Sequence, residues 1–196
     1  MLVLYHAGAA ALDCPRTAAG AVTSGGAALP GAGYIRRMEL FVIRHAIAED
    51  ATAGQDDASR ELTEEGRRKL REVVKGLSEL DLEVDQIFVS PWTRALQSAE
   101  LMKPLCDAAP VITSLLAQVP SAELIAQLAA SGEATAVVGH EPWLGELVAW
   151  LCFGDMRHGE GLIIKKAGVV WLEGTAVPGG MRMRGLIPPR LLRALA

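Results

Sequence analysis

The stretch "FVIRHAIAED", residues 41–50, ends an apolar segment with an arginine and a histidine, and two carboxylates follow close behind. Residues 39–43 have the length and apolar composition of a buried β-strand. Arg44 and His45 therefore come directly after a predicted strand, at its carboxyl end. The kind of sheet that this strand joins decides what these two side chains meet.

Strand-like and helix-like segments alternate from Met38 onward. Further buried strands are predicted at residues 86–90 and 135–139, and helices at residues 93–106 and 142–153. Thr63 and Ser121 are good N-caps for two more helices. The apolar residues of the first share one helical face: Leu70, Val73, Val74, Leu77 and Leu80. Such alternation predicts parallel strands joined by helical crossovers that cover both faces of the sheet.

The tail of the chain has a different pattern. Residues 168–173 and 180–187 flank a Pro-Gly-Gly turn at residues 178–180 and predict antiparallel edge strands. The predicted fold class is therefore α/β, a three-layer α/β/α sandwich with a mostly parallel central sheet and antiparallel edge strands.

Residues 1–37 differ in composition from the rest. They are rich in Ala and Gly, and their only acidic or basic side chains are Asp13, Arg16, Arg36 and Arg37. A secretory signal would need positive charge ahead of its apolar stretch, and "MLVLYHAGAAALD" has none. We predict a disordered or spurious extension over residues 1–37, with Met38 as the true start, and one catalytic domain over residues 38–196.

Composition excludes several classes of function. No apolar run approaches the roughly 18 to 20 residues that cross a bilayer, so no membrane partner is expected. The net charge of −4 and the scattered Lys and Arg residues give no basic stripe for nucleic acid. The three cysteines, Cys14, Cys106 and Cys152, have no metal-binding spacing and are interpreted as reduced core residues. We expect a soluble, cytoplasmic monomer without metal or cofactor.

Basic side chains follow three of the predicted parallel strands. Arg44 and His45 follow the first, Arg94 lies one helical turn beyond the second, and His140 follows the third, while Arg60 lies just ahead of the helix that Thr63 caps. Ligands of open α/β sheets bind beyond the carboxyl ends of the strands, so these side chains are expected to converge there. Arginine forks and helix N-termini match phosphate oxygens, and a neutral imidazole is a good nucleophile. The cluster predicts a phosphoryl ligand, with His45 as the attacking group.

These segments resemble a known family. "IRHA" resembles the RHG signature of the histidine phosphatase superfamily, the phosphoglycerate-mutase-like proteins. "SPWTRALQSAE" is similar to its SPxxRAxQTA segment, and "VVGHEPWLGELV" to the segment with its second histidine. "ASRELTEEGRRKL" and the ending "LIPPRLLRAL" resemble SixA-type phosphohistidine phosphatases. The resemblance covers residues 38–196.

The resemblance implies a role for each matching residue. His45 would be the phosphorylated nucleophile, and His140 would donate a hydrogen bond to the transition state. Arg44, Arg60 and Arg94 would bind phosphate. The signature has Gly at the position of Ala46, and alanine is tolerable there only if the residue does not need a positive φ angle.

A second departure concerns the general acid. Mutases and sugar phosphatases of the superfamily carry a glutamate soon after the Arg94-type helix, whereas the stretch "VITSLLAQVPSAEL", residues 111–124, offers no acid until Glu123. A phosphohistidine expels imidazole, which leaves more readily than an alcohol, so the missing acid favours a phosphoramidate substrate. Asp57 is the remaining candidate to shuttle a proton or activate water. Its alternative interpretation is a solvated loop carboxylate.

Other candidates also have alternatives. Arg44 and Arg94 could pair with the acidic loop, and Arg60 could be an ordinary surface residue. Ser90 is interpreted as a helix cap, and Trp92 and Trp143 line either the pocket mouth or the core.

The favoured function is a metal-independent phosphatase that acts on phosphohistidine through a phospho-His45 intermediate. The expected partner is a histidine phosphotransfer domain or a phosphotransferase-system-like protein. Two alternatives remain: a broad-specificity phosphomonoesterase of the same superfamily, and a non-catalytic phosphate-binding module.

Overall fold

A computed structural model describes residues 37–196 of the chain, so the prediction for the N-terminal extension lies almost wholly outside the described residues. The strands of this part are β1 Met38–Arg44, β2 Gln86–Val89, β3 Val111–Ile112, β4 Ala134–Gly139, β5 Val169–Gly174 and β6 Met181–Ile187. The helices are α1 Glu64–Ser78, α2 Thr93–Leu101, α3 Ala122–Ala129, α4 Trp143–Phe153 and α5 Pro189–Arg193. Short 3-10 turns connect several of them.

The strands form one sheet in the order β3-β2-β4-β1-β5-β6. β3, β2, β4 and β1 run parallel to one another. β5 is antiparallel to both of its neighbours, β1 and β6. Helices α1, α2 and α5 pack on one face through residues such as Leu70, Ala99 and Leu192. Helices α3 and α4 pack on the other through residues such as Leu128 and Leu147. The three-layer α/β/α sandwich is therefore confirmed.

Local chemistry explains where α1 begins and how it is placed. The Thr63 hydroxyl accepts a hydrogen bond from the Gly66 N–H at 2.9 Å, as an N-cap does. A Cβ at Gly66 would lie 2.1 Å from the Ile47 carbonyl oxygen, so glycine alone allows this helix to approach the loop after β1. α1 is thereby held against the segment that carries His45.

Three predicted details are wrong. α2 ends at Leu101 rather than at residue 106, because Pro104 cannot continue an α-helix, and a 3-10 turn follows. Leu80 lies beyond the end of α1 and is 53% exposed instead of completing its apolar face. β5 is not an edge strand, since it pairs with β1 on one side and β6 on the other.

Among the helices of residues 37–196, none is long and apolar enough to cross a membrane.

Candidate active site

The parallel register of β1, β2 and β4 brings the candidate residues together. Arg44 pairs with Gly139, and Val89 with Val138, so His45, Ser90 and His140 all follow aligned strand ends. The His45 N–H donates to the Gly139 carbonyl at 3.1 Å. The imidazole centroids of His45 and His140 are 5.0 Å apart, and the two residues are only 5% and 2% exposed.

The hydrogen bonds of His45 fix which of its nitrogens is nucleophilic. Nδ1 lies 2.7 Å from the carbonyl oxygen of Ala46, which can only accept, so Nδ1 carries the proton. Nε2 therefore carries the lone pair, and the Arg94 Nε–H donates to it at 3.1 Å. Nε2 faces the arginine that the sequence assigns to phosphate binding.

The environment keeps His45 neutral. The pKa of its imidazole is lowered to about 3, chiefly by burial. The hydrogen bond to Ala46 acts against this shift, and the positive charges of Arg94, Arg44 and Lys166 add to it. Loss of hydration is the larger cause of the lowered pKa, and the neighbouring cations are the smaller one. At neutral pH the imidazole keeps its lone pair.

Ser90 orients the second histidine. Its hydroxyl oxygen lies 2.8 Å from His140 Nε2 and accepts a hydrogen bond from the Trp92 N–H at 3.4 Å. With the hydroxyl as the donor to Nε2, the ring proton of His140 lies on Nδ1. Nδ1 is buried and has no hydrogen-bond partner in the described chain, so it can donate to an oxygen of a bound group. Burial, followed by the charge of His45, lowers the pKa of His140 to about 3.

This role of Ser90 was missed by the sequence argument. The N-cap of α2 is Trp92, and no side chain caps that helix, so the interpretation of Ser90 as a helix cap is wrong. A serine directly after β2 and three residues before the start of α2 was the only available signal.

Asp57 bridges two of the arginines. Its carboxylate accepts from Arg94 Nη2 at 2.8 Å and from Arg60 Nε at 2.8 Å. Desolvation is the largest single cause and acts to raise the pKa of Asp57, but the hydrogen bonds and charges of Arg94 and Arg60 together lower it. Asp57 is therefore an ionised member of the cluster. Arg94 and Arg60 both pair with this residue of the acidic loop, and of the two only Arg94 also contacts His45 in the described residues.

Arg44 contacts the loop before β5. Its Nη1 donates to the Ile164 carbonyl at 2.8 Å, and the Ile164 N–H donates to Glu141 at 3.0 Å. The second oxygen of Glu141 accepts from the Gly145 N–H at 3.0 Å. Glu141 thus connects the start of α4 to this loop, a function that the sequence did not reveal.

Two tryptophans form a wall around His140. The ring of Trp92 lies 4.3 Å from the His140 ring and 5.6 Å from that of Trp143. The Arg94 guanidinium carbon is 4.5 Å from the centre of the Trp92 ring. Both tryptophans are only partly buried, which places them beside the site and outside the core.

Ala46 fits its position without strain. Its φ angle is not positive, so the glycine of the signature is not required by backbone conformation. Its N–H donates to Ser98 Oγ at 3.1 Å, and that hydroxyl donates to the Arg94 carbonyl at 2.7 Å. Ser98 lies four residues after Arg94 in α2 and connects that helix to the loop that carries His45.

Across residues 37–196, no set of three or more His, Cys, Asp or Glu side chains is placed to hold a metal ion. Residues 157–159 also read "RHG", but this segment follows a helix and not a strand, and its His158 is exposed in a 3-10 turn.

A buried neutral histidine among arginines, at the carboxyl edge of an α/β sheet, is an arrangement that suits a phosphoryl ligand and a histidine nucleophile. The chain belongs to the histidine phosphatase superfamily. The model of branch 1 of that superfamily matches residues 40–119. An uncharacterized protein of Picosynechococcus sp. is 35% identical over 146 residues, which covers 71% of this chain and 87% of the relative.

Solved structures share the fold. The protein histidine phosphatase SixA complexed with tungstate has a TM-score of 0.66 and 24% identity, covering 79% of this chain and 99% of its own. A mycobacterial glucosyl-3-phosphoglycerate phosphatase has a TM-score of 0.61 and 16% identity, covering 78% of this chain and 100% of its own. The same fold therefore occurs in a protein phosphatase and in a small-molecule phosphatase.

Proposed function

We propose that the protein hydrolyses phosphohistidine on a partner protein through a covalent phospho-His45 intermediate, without a metal ion. The observation that carries the proposal is the state of His45: buried, neutral, and with the Nε2 lone pair directed to Arg94. The arginines supply the positive charge that a metal ion provides in other phosphatases.

The first step transfers the phosphoryl group to His45. The Nε2 lone pair forms a bond to phosphorus as the phosphorus–nitrogen bond of the substrate breaks. The electron pair of that bond stays on the departing imidazole, which leaves as a neutral ring when its other nitrogen is already protonated in the substrate. Incoming phosphoryl oxygens replace the hydrogen bond from Arg94 Nε to Nε2 and accept from the guanidinium groups of Arg44, Arg60 and Arg94. The His140 Nδ1–H donates to the oxygen on which charge develops.

The second step returns the enzyme to its starting state. Water attacks phosphorus, the bond to Nε2 breaks with its electron pair returning to the imidazole, and inorganic phosphate leaves. Asp57 is our candidate for accepting the proton of the attacking water, because it is ionised and lies against Arg94.

The carboxylates around the site favour a phosphoramidate over an ester. Asp57 is held ionised by two arginines, so it is a poor proton donor. Glu141 accepts two backbone hydrogen bonds, and Glu123 is exposed in the first turn of α3. An alkoxide leaving group needs a strong acid, whereas imidazole needs much less help.

A small phosphomonoester is the second candidate. It is favoured by the fold likeness to the glucosyl-3-phosphoglycerate phosphatase. A non-catalytic phosphate-binding module is the third, and loss of turnover in a single-residue variant would exclude it.

The test compares substrates and variants in the presence of a metal chelator. A phosphohistidine-bearing phosphotransfer domain and a panel of sugar phosphates are offered to the native protein and to His45→Ala, with His158→Ala as the matched control at an exposed histidine. We expect preferential hydrolysis of phosphohistidine by the native protein and the control, and none by His45→Ala. Mass spectrometry after an alkaline quench should find phosphate on His45. Preference for a sugar phosphate, or turnover by His45→Ala, would contradict the proposal.

A further inference from the structure

A groove of about 710 Å³ lies beside the catalytic pocket, bounded by α1, the loop before β5 and α5. It meets the catalytic residues at Arg44 and includes neither His45 nor His140. Within the part of the chain that the structure describes, none of its lining residues is acidic and six are basic: Arg44, Lys69, Lys165, Lys166, Arg190 and Arg193. We call it the basic groove.

Several of these cations lack a counter-charge. Over residues 37–196, Lys165, Lys166 and Arg190 form no ion pair with a carboxylate. Lys69 pairs with Glu65 at 2.7 Å, and Arg193 approaches Glu72 only to 3.7 Å. In a chain whose net charge is −4, this is a local concentration of positive charge.

Two buried donors of the groove are also unsatisfied. Arg44 Nε and Arg193 Nε are buried and have no hydrogen-bond partner among residues 37–196. A buried guanidinium N–H without an acceptor is costly, and each such group in a folded protein calls for an explanation. Both residues line the groove, so their guanidinium groups add two cations to it that an anionic ligand would neutralise.

We propose that the basic groove binds a carboxylate-rich segment of the partner protein next to its phosphohistidine. This inference rests on the proposed function and names the substrate class more closely. The groove begins at Arg44, so a substrate whose phosphoryl group lies on His45 continues into it. Its cations come from separate elements, which suits several carboxylates along a segment better than one compact anion.

The apolar part of the lining supports a polypeptide ligand. Ile47, Ile163, Pro188 and Pro189 lie between the cations and offer contact surface for the aliphatic parts of glutamate or neighbouring side chains. Arg44 donates a hydrogen bond to the Ile164 carbonyl in the loop before β5. A segment bound along this loop therefore lies against Arg44, which the proposed function assigns to phosphate binding. Attraction to such a groove raises the rate of encounter and depends on ionic strength.

The test uses two matched peptides. Both carry one phosphohistidine, which is flanked by glutamates in the first peptide and by glutamines in the second. The full chain is compared with the double variant Lys165→Glu/Arg190→Glu. The control is Arg68→Glu/Arg182→Glu, which makes the same charge change at exposed positions outside the groove. Phosphoramidate itself serves as a substrate too small to enter the groove.

We expect the native chain to prefer the glutamate peptide by at least about tenfold in kcat/KM at low salt, through a lower KM. The groove variant should lose this preference and keep its rate on phosphoramidate, while the control pair keeps both. Equal KM values for the two peptides in the native chain, or an equal loss in both variants, would overturn the inference.

Binding separates this inference from the proposed function. Fluorescence anisotropy of the unphosphorylated glutamate peptide should show a weaker Kd for the groove variant than for the control, whether or not any peptide is hydrolysed. Absence of turnover on both peptides and on phosphoramidate counts against the proposed function alone. Equal Kd values count against the groove.

Discussion

Acidification should destabilise the protein through its two catalytic histidines. His45 and His140 have pKa values of about 3 in the folded chain, against 6.5 for an ordinary histidine. Between these values the unfolded chain binds one more proton at each histidine than the folded chain, so the free energy of unfolding falls as the pH falls. From about pH 7.5 to about pH 5.5, each histidine contributes a loss of about 1.4 kcal/mol, or about 3 kcal/mol for the pair.

The assay is urea denaturation followed by fluorescence at several pH values in that range. Carboxylates contribute little there, because their unfolded pKa values lie lower. His140→Gln removes one of the two groups, so its free energy of unfolding should fall by only about 1.4 kcal/mol over the same interval. If the native protein loses less than about 0.5 kcal/mol, or the same amount as His140→Gln, the histidines are not held neutral by the fold and the reasoning fails.

Three further predictions concern individual residues. Ser90→Ala should lower kcat about tenfold with little change in KM, because loss of a buried hydrogen bond of about 1.4 kcal/mol frees the tautomer of His140; steady-state kinetics measures the split. Arg94→Lys should lower kcat/KM by about a hundredfold or more, because the fork that contacts Asp57 and His45 is lost. Glu141→Gln should destabilise the fold by about 1 to 3 kcal/mol in urea, because one backbone N–H then faces an amide donor.

Matched controls separate these effects from general damage. Thr135→Val removes another buried hydroxyl, which bonds Ser131 away from the histidines, and should leave kcat unchanged. Arg157→Lys changes an exposed arginine that pairs with Asp155 and should not affect kcat/KM. A normal kcat for Ser90→Ala, a near-normal rate for Arg94→Lys, or native stability for Glu141→Gln would each remove the role assigned to that residue.

The fold was predictable because its signals are local. Apolar runs at residues 39–43, 86–90 and 135–139 predicted buried strands, and Thr63 and Ser121 do cap helices by accepting hydrogen bonds from Gly66 and Leu124. The superfamily was likewise identified from short segments, and both predictions are confirmed. One error arose at Pro104, where the helical pattern continues but proline cannot continue an α-helix. Another arose at β5, which was predicted at the edge of the sheet and lies inside it.

The site was only partly predictable, because its side chains meet through tertiary contacts. The order of strands and basic residues placed Arg44, His45, Arg94 and His140 at one edge. No sequence spacing revealed that Ser90 bonds His140, that Asp57 bridges Arg94 and Arg60, or that Glu141 holds the Ile164 peptide. These pairs depend on side-chain direction at the ends of aligned strands. The catalytic roles and the partner protein stay predictions.

The distances along the chain between partners in the site link catalysis to folding. Arg94 reaches His45 across 49 residues, and Ser90 reaches His140 across 50. Contacts of such high contact order form only after the parallel strands between them are aligned, since loop closure must come first. Within residues 37–196, no hairpin or single helix contains both partners of either hydrogen bond. Recovery of turnover during refolding should therefore report the alignment of β1, β2 and β4, so an activity assay can follow this late folding step.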